Sequence, residues 1–245
     1  MGRMVAAMTS LKEQISRDRS QYLVILALSI GVVGLAATLQ ASDPLLFQQF
    51  IGPTRPLIAF PLVSALGVLL LSLLLSRGWF AIYQKEHLRV LWRSSALSAL
   101  FVLITIVVDL KVKFPIDLNV AFPGSLLFYP AIGFVVEVLF HVLPLAVLLT
   151  PLTAIGRNIG RQKAIWICIP IVSLLEPIYQ TMPMVASPHY PFWAVVVVGL
   201  NLTLFNLFQL FMFQRYDFIA MYSVRMVYYL LWHIAWGHLR LRLLF

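Results

Sequence analysis

The chain alternates between long apolar runs and short polar segments. A helix needs about 20 mostly apolar residues to cross the hydrocarbon core of a bilayer. The runs that approach or reach this length are Tyr22–Ala41, Leu57–Ser76, Ser94–Val108, Tyr129–Thr150, Ala164–Leu175, Tyr190–Phe213 and Phe218–Trp236. The third and fifth are short, so we expect them to extend into their flanks or to break near Pro170 and Pro177. The pattern predicts an all-α, multi-pass transmembrane bundle of about seven helices.

Composition points to lipid as the solvent of this bundle. Hydrophobic residues make up 61% of the 245 positions and charged residues 11%, whereas a soluble domain has about a quarter of its residues charged. So few charged side chains cannot cover the surface of a globular protein of this length. The one cysteine, Cys168, excludes an internal disulfide. The lipid bilayer is therefore the expected partner, and no cofactor is expected.

The net charge of +9 could suggest a nucleic-acid partner. The basic residues, however, cluster in short loops between the apolar runs, as membrane orientation signals do. With a cytoplasmic N-terminus, twelve of the eighteen basic residues lie on the cytoplasmic side. We therefore predict an integral protein of the cell (inner) membrane with no nucleic-acid partner. Arg240 and Arg242 fall on the opposite side, which suggests a re-entrant piece or a miscounted helix.

The chain divides into two predicted parts. Residues 1–20 form an amphipathic surface segment, because Ser10-Leu11-Lys12-Glu13 has the pattern of a helix-capping box. Residues 21–245 form a single integral-membrane helical domain, since no linker or internal repeat interrupts them.

Five ionisable residues fall within the apolar runs, and each is costly in hydrocarbon unless it faces the bundle interior. They are Glu137, His141, Glu176, Arg225 and His233. A helical rise of about 1.5 Å per residue places Glu137, Glu176 and His233 each about 20 Å from the same membrane face. Polar groups on three different helices are therefore predicted to converge on one layer.

Spacing within each helix supports this convergence but leaves the role of the residues open. Glu137 and His141 are four residues apart and share a face; they could simply fix helix packing as a buried pair. Glu176 could be a carboxylate at a helix end, and Arg225 could neutralise a carboxylate. Two histidines and two glutamates could also bind zinc, but the sequence has no His-Glu-x-x-His helix to support a metal site.

The order of these residues resembles the CAAX prenyl endopeptidase and bacteriocin-processing (CPBP, or Abi) family. Its three membrane motifs are Glu-Glu-x-x-x-Arg, Phe-x-x-x-His and a late His-x-x-x-Asn. The resemblance covers 126–237, where the motifs align with Val136–His141, Glu176–Gln180 and His233–Gly237. Val136 replaces the first glutamate. Four further positions depart from the motifs, namely His141 for arginine, Glu176 for phenylalanine, Gln180 for histidine and Gly237 for asparagine.

The resemblance implies a CAAX-protease-like fold and a metal-independent glutamic intramembrane endopeptidase. Glu137 or Glu176 would deprotonate a water held against a histidine, His141 or His233, and the water would attack a peptide carbonyl. His233 and Gln180 would stabilise the oxyanion. Arg225 would hold the carboxylate ionised or bind a substrate carboxylate. The substrate would be a membrane-bound peptide or a prenylated protein.

Two other functions remain open from the sequence. The chain could be a catalytically inactive CPBP-like scaffold or immunity protein that binds a peptide or lipid partner in the same cavity. It could also be a small proton-coupled transporter that uses its glutamates and histidines as a relay. A peptidase needs a carboxylate and His233 within one water of a shared point, whereas a binding protein needs only the cavity.

Overall fold

A computed structural model describes residues 18–44, 46–47, 51–155 and 159–245 of the chain. The predicted surface helix before residue 18 lies outside these residues. The α-helices are α1 (Arg19–Ser42), α2 (Pro56–Ser76), α3 (Leu88–Val112), α4 (Ser125–Val136), α5 (Leu143–Ile155), α6 (Arg161–Ser173), α7 (Leu175–Ala186), α8 (Phe192–Arg215), α9 (Phe218–Tyr229) and α10 (Gly237–Leu243). A first π segment, Glu137–Val142, joins α4 to α5, and a second π segment, Leu230–Trp236, joins α9 to α10.

The described residues form seven helical rods, three of them built from two helices each. Six rods are long and apolar enough to cross a membrane: Arg19–Ser42, Pro56–Ser76, Ser125–Ala154, Arg161–Ala186, Phe192–Arg215 and Phe218–Leu243. The seventh rod is α3, with 25 residues. The prediction of an all-α, multi-pass membrane bundle is confirmed.

The two short apolar runs extend as expected, and one of them also breaks. The third run, predicted over Ser94–Val108, becomes the whole of α3. The fifth run becomes α6 and α7, which meet at Leu174. This break puts Pro177 in the first turn of α7, where a missing N–H costs no helical hydrogen bond. The rod therefore continues past the proline.

Contacts between loops show that successive rods run in alternating directions. At one end of the bundle, the Gln21 side chain accepts a hydrogen bond from Ile82 N at 2.8 Å. At the other end, the Lys113 carbonyl accepts from His189 Nε2 at 3.2 Å, and Lys113 Nζ donates to Leu244 O at 3.4 Å. Residues 21 and 244 therefore lie at opposite ends, as an odd number of crossings requires.

Asp217 ties the start of α9 to the segment before α3. Its carboxylate accepts hydrogen bonds from Ala220 N at 2.8 Å and from Gln84 N at 3.0 Å, and it contacts His87 Nδ1 at 3.2 Å. Burial raises the pKa of the Asp217 carboxyl, against the opposing effect of these hydrogen bonds. The tie fixes the position of α9, which carries Arg225.

A second tie, between α3 and α10, shows that Arg240, grouped in the sequence with the basic residues of loops, is buried and paired. Arg240 is fully buried. Its Nε donates to Asp109 Oδ2 at 2.7 Å and its Nη2 donates to Asp109 Oδ1 at 2.9 Å. Trp236 Nε1 and Phe114 N also donate to this carboxylate, at 2.7 and 2.9 Å. Arg240 therefore neutralises the buried carboxylate of Asp109. This pairing explains its position without a re-entrant segment.

Candidate functional site

Arg225 lies at the centre of a buried polar network, and all five of its N–H groups are used. Its Nε donates to Glu137 Oε1 at 2.5 Å. Its Nη1 and Nη2 form a fork on Glu176, at 2.9 and 2.8 Å. The two remaining N–H groups donate to Tyr229 OH at 3.3 Å and to Gln209 Oε1 at 3.0 Å. A guanidinium has five N–H groups, so Arg225 has none left for a ligand.

Glu137 is held by three residues from different parts of the chain. Gln209 Nε2 donates to the same Oε1 atom as Arg225, at 2.5 Å. The other oxygen, Oε2, lies 2.6 Å from His141 Nδ1. Because a carboxylate only accepts hydrogen bonds, His141 Nδ1 is the donor. Glu137 and His141, predicted to share a face, are thus directly hydrogen bonded, and both oxygens of Glu137 are occupied.

The pairing of Glu137 with His141 lies within the first π segment. Here Leu143 N bonds to Val138 O, one residue further back than in an α-helix. Pro144, the next residue, has no N–H to offer the α-helical ladder. Wider turns of this kind are frequent at functional sites, and the second π segment carries His233.

Glu176 connects the network to Gln180 and to a neighbouring cavity. Gln180 Nε2 donates to Glu176 Oε1 at 2.8 Å. His141 Nε2 lies 3.9 Å from Glu176 Oε2, too far for a hydrogen bond. Counting Glu137, Glu176 and Arg225, the formal charge is −1 with His141 neutral and zero with it protonated. The Arg225 guanidinium lies between the two carboxylates and offsets one of their two negative charges.

His233 belongs to a separate hydrogen-bonded group. Tyr129 OH accepts from Val120 N at 3.0 Å, so its own hydrogen is free to donate to Asn119 Oδ1 at 3.4 Å. The Asn119 carbonyl therefore faces His233 Nδ1, which lies 2.7 Å away and must donate to it. The His233 ring also stacks on Tyr129 at 4.5 Å. In neutral His233 this leaves Nε2 as an unprotonated acceptor.

Gly237 provides the space that Asn119 occupies. A Cβ atom at Gly237 would lie 3.0 Å from Asn119 Nδ2 and 3.1 Å from its Cγ. These distances are too short for ordinary van der Waals contact, so a larger residue would push Asn119 away from His233. Asn119 thus depends on a glycine in α10.

Gly237→Ala is expected to break the hydrogen bond between Asn119 and His233. We expect a loss of about 1 kcal/mol of stability, the usual net worth of a hydrogen bond, measured by thermal unfolding in detergent. Asn119→Ala should cost a similar amount, and the double variant should cost no more than either single one. Gly34→Ala is the control, because nothing lies within 4 Å of a Cβ there. Additive losses in the double variant would contradict the coupling.

A cavity of about 650 Å³ lies beside the network. Its polar end is formed by Glu176, Gln180, Arg225 and His233, and most of the remaining wall is aromatic or aliphatic. Glu137 and His141 lie behind Arg225 and do not line the cavity. The volume and the mixture of an apolar wall with a few polar groups are typical of a ligand site.

The cavity opens to the lipid-facing surface between the first π segment and α7. Leu139 and Tyr179 line it, yet their side chains are 36% and 63% exposed. The Phe140 and Tyr179 rings meet across the opening, with centroids 5.3 Å apart. Leu139 is the fifteenth of the thirty residues in the rod Ser125–Ala154. Tyr179 is the nineteenth of the 26 residues in the rod Arg161–Ala186. The mouth therefore opens on the side of the bundle, away from the rod ends.

The structure brings five of the six predicted site residues into one network: Glu137, His141, Glu176, Gln180 and Arg225. His233 lines the same cavity but bonds to Asn119, and no described contact joins it to Glu137. Sequence reasoning missed Gln209 and Asn119. Gln209 could have been found as an uncharged polar residue within an apolar run, but nothing distinguishes Asn119 from other loop residues.

No family model, curated protein or solved structure matches this chain. The resemblance to the CPBP family therefore stays a prediction.

Proposed function

We propose that this chain is a membrane-embedded binding protein that takes an amphipathic molecule from the bilayer into its cavity. The polar end of the molecule would contact Glu176, Gln180 and His233, and its apolar part would contact the aromatic and aliphatic wall. The observation that carries the proposal is the mouth on the side of the bundle, between the first π segment and α7, which leads to a polar end of the cavity. Among the sequence predictions, this corresponds to the non-catalytic binding relative.

The state of the two carboxylates favours binding over catalysis by Glu137. Both Glu137 oxygens are occupied by protein donors, and the residue lies behind the cavity wall. A water molecule could reach it only by displacing one of those donors. Glu176 does line the cavity, but both of its oxygens accept hydrogen bonds from Arg225, and Oε1 also accepts one from Gln180. A fully satisfied network of this kind is well suited to a rigid binding surface.

Photolabelling tests this proposal directly. The purified chain is placed in lipid vesicles with a long-chain alcohol that carries a diazirine, and the labelled residues are identified by mass spectrometry. We expect labels on residues that line the cavity. Leu202→Trp, at a lining position that is 8% exposed, adds bulk to the cavity wall and should reduce this labelling relative to the unmodified chain.

The matched control is Leu200→Trp on the same helix. Leu200 is 60% exposed and does not line the cavity, so the same bulk added there should leave labelling unchanged. Equal labelling of the two variants, or labels confined to outer surfaces, would contradict the binding proposal.

A second candidate is metal-independent peptide hydrolysis, because Glu176 and His233 line the same cavity. The unprotonated Nε2 of His233 could take a proton from water. The hydrogen bond from His233 Nδ1 to Asn119 Oδ1 would hold the ring in position. The resulting hydroxide would attack the peptide carbonyl, and the proton would pass to the leaving amine. Glu176 remains the alternative base.

Cleavage of a prenylated peptide in detergent tests this candidate. Under hydrolysis, His233→Gln should lose at least about 100-fold in rate, and Asn119→Ala should lose less because it only misplaces the ring. Absence of cleavage by the unmodified chain would remove the peptidase and leave the binding protein.

A further inference from the structure

We infer that the cavity selects amphiphiles whose polar end donates hydrogen bonds and carries no negative charge, such as an ammonium or a hydroxyl group. Amphiphiles ending in a phosphate or a sulfate would be rejected. This inference rests on the proposed function, since it specifies the head group of the molecule that the cavity takes from the bilayer.

The charges at the polar end exclude an anionic head group. Among the described residues, Glu176 and Arg225 are the Asp, Glu, Lys and Arg side chains that line the cavity, and Glu137 stands directly behind. With His233 neutral, their formal sum is −1 or zero, according to the protonation state of His141. An anion brought here would leave water for a site with no excess positive charge, which is costly without a pairing cation.

Arg225 cannot serve as that pairing cation without breaking the network. Each of its five N–H groups already donates to a protein oxygen, three of them to carboxylates. A phosphate would have to displace Glu176 or Glu137 from the guanidinium and leave that carboxylate buried and unpaired. The fork that would otherwise recognise an anion is thus occupied from within.

Hydrogen-bonding capacity at the polar end favours a donor on the ligand. His233 Nε2 and Gln180 Oε1 have no hydrogen-bond partner within the described part of the chain, and Glu176 Oε2 accepts one hydrogen bond, from Arg225. All three of these atoms are acceptors. An ammonium has three N–H donors, one for each of these atoms, whereas a hydroxyl could donate to one of them.

Tyr228 adds another acceptor to the wall. Thr105 Oγ1 donates to Phe101 O at 3.1 Å and accepts from Asn201 Nδ2 at 3.0 Å. Its 3.1 Å contact with Tyr228 OH therefore uses the hydrogen of Tyr228. The Tyr228 oxygen keeps its lone pairs for a ligand. At the polar end, the donors without a partner among the described residues are the Tyr229 hydroxyl hydrogen and one N–H of Gln180, against four acceptors. Elsewhere the wall also carries the Trp232 N–H and the hydroxyls of Tyr179 and Tyr190.

Competition on the unmodified chain tests the inference. The diazirine alcohol is incorporated in uncharged vesicles at pH 7, and four competitors with one chain length are added at equal mole fraction: an alkyl amine, an alkyl alcohol, an alkyl sulfate and an alkyl phosphate. We expect the amine and the alcohol to reduce cavity labelling at least about fivefold more than the sulfate and the phosphate, a difference of about 1 kcal/mol.

The other possible results distinguish failure of the head-group inference from failure of the binding proposal. If the sulfate or the phosphate competes as well as the amine, or if none of the four competes, the head-group inference is overturned while cavity labelling still supports the binding proposal. If the probe does not label the cavity at all, the binding proposal itself fails.

A charge change at Gln180 provides a second test. Gln180 is exposed, so substitutions there should fold. Gln180→Lys adds one positive charge at the polar end, beside Glu176, and should raise competition by the alkyl sulfate at least about fivefold, whereas Gln180→Met, similar in length but uncharged, should not. An unchanged sulfate response in Gln180→Lys would show that charge does not control selection and would overturn the inference.

Discussion

Replacing Arg225 with methionine is expected to destabilise the protein by about 3–5 kcal/mol, because breaking a buried ion pair leaves an uncompensated charge. Here two carboxylates, Glu137 and Glu176, would lose their shared cation. For a chain of this size the loss corresponds to a fall of about 10 °C in Tm. Cys168, which is 1% exposed, can report unfolding through a thiol-reactive dye in detergent.

The control removes the carboxylate charges together with the cation. Arg225→Met combined with Glu137→Gln and Glu176→Gln should recover most of the lost stability, since no unpaired charge remains. Arg225 also lies over the rings of Phe205 and Tyr229, at 5.8 and 5.6 Å. If the triple variant is as unstable as the single one, packing against these rings is the source of stability and the electrostatic account is wrong.

The second large effect is expected at the tie between α3 and α10. Arg240→Met leaves the buried carboxylate of Asp109 with only Trp236 and the Phe114 N–H as donors. A loss of about 3–5 kcal/mol is expected for the same reason as at Arg225. Adding Asp109→Asn should restore much of it, because Asn is neutral and still accepts hydrogen bonds. The same dye measurement gives the Tm of each variant.

Arg242 provides the comparison for this experiment. It lies two residues beyond Arg240 on α10 and is exposed, so Arg242→Met should change stability by less than about 0.5 kcal/mol. If the two variants unfold at the same temperature, the described ion pair contributes no more than a surface charge.

The number and order of the rods could be predicted because the length of an apolar run is set by bilayer thickness. Their ends could not be predicted as well. The helices α3, α6 and α7 contain polar residues near their ends, so the apolar runs in the sequence are shorter than the helices themselves. Leu174, where α6 and α7 meet, has no side-chain feature that marks it. Pro177 follows three residues later, but Pro170 and Pro183 lie inside α6 and α7 without a break, so a proline alone does not locate the break.

The central network could be predicted because ionisable residues in lipid must find partners within the bundle. That condition brought Glu137, His141, Glu176 and Arg225 into consideration without knowledge of their contacts. It did not identify Asn119, since a loop residue can be satisfied by water. It also misplaced Arg240, because a charge near a rod end can lie in a loop or turn inward. Arg240 turns inward because its partner Asp109, on α3, is buried there.

The mouth on the side of the bundle, between the first π segment and α7, also determines how occupancy would be controlled. A molecule that enters there arrives by lateral diffusion, so its mole fraction in the membrane, and not its aqueous concentration, sets the rate of encounter. Diluting both protein and ligand with buffer would leave the bound fraction nearly constant. Diluting them with inert lipid would lower it. The mole fraction of the ligand in the surrounding membrane would therefore determine the occupancy of the cavity.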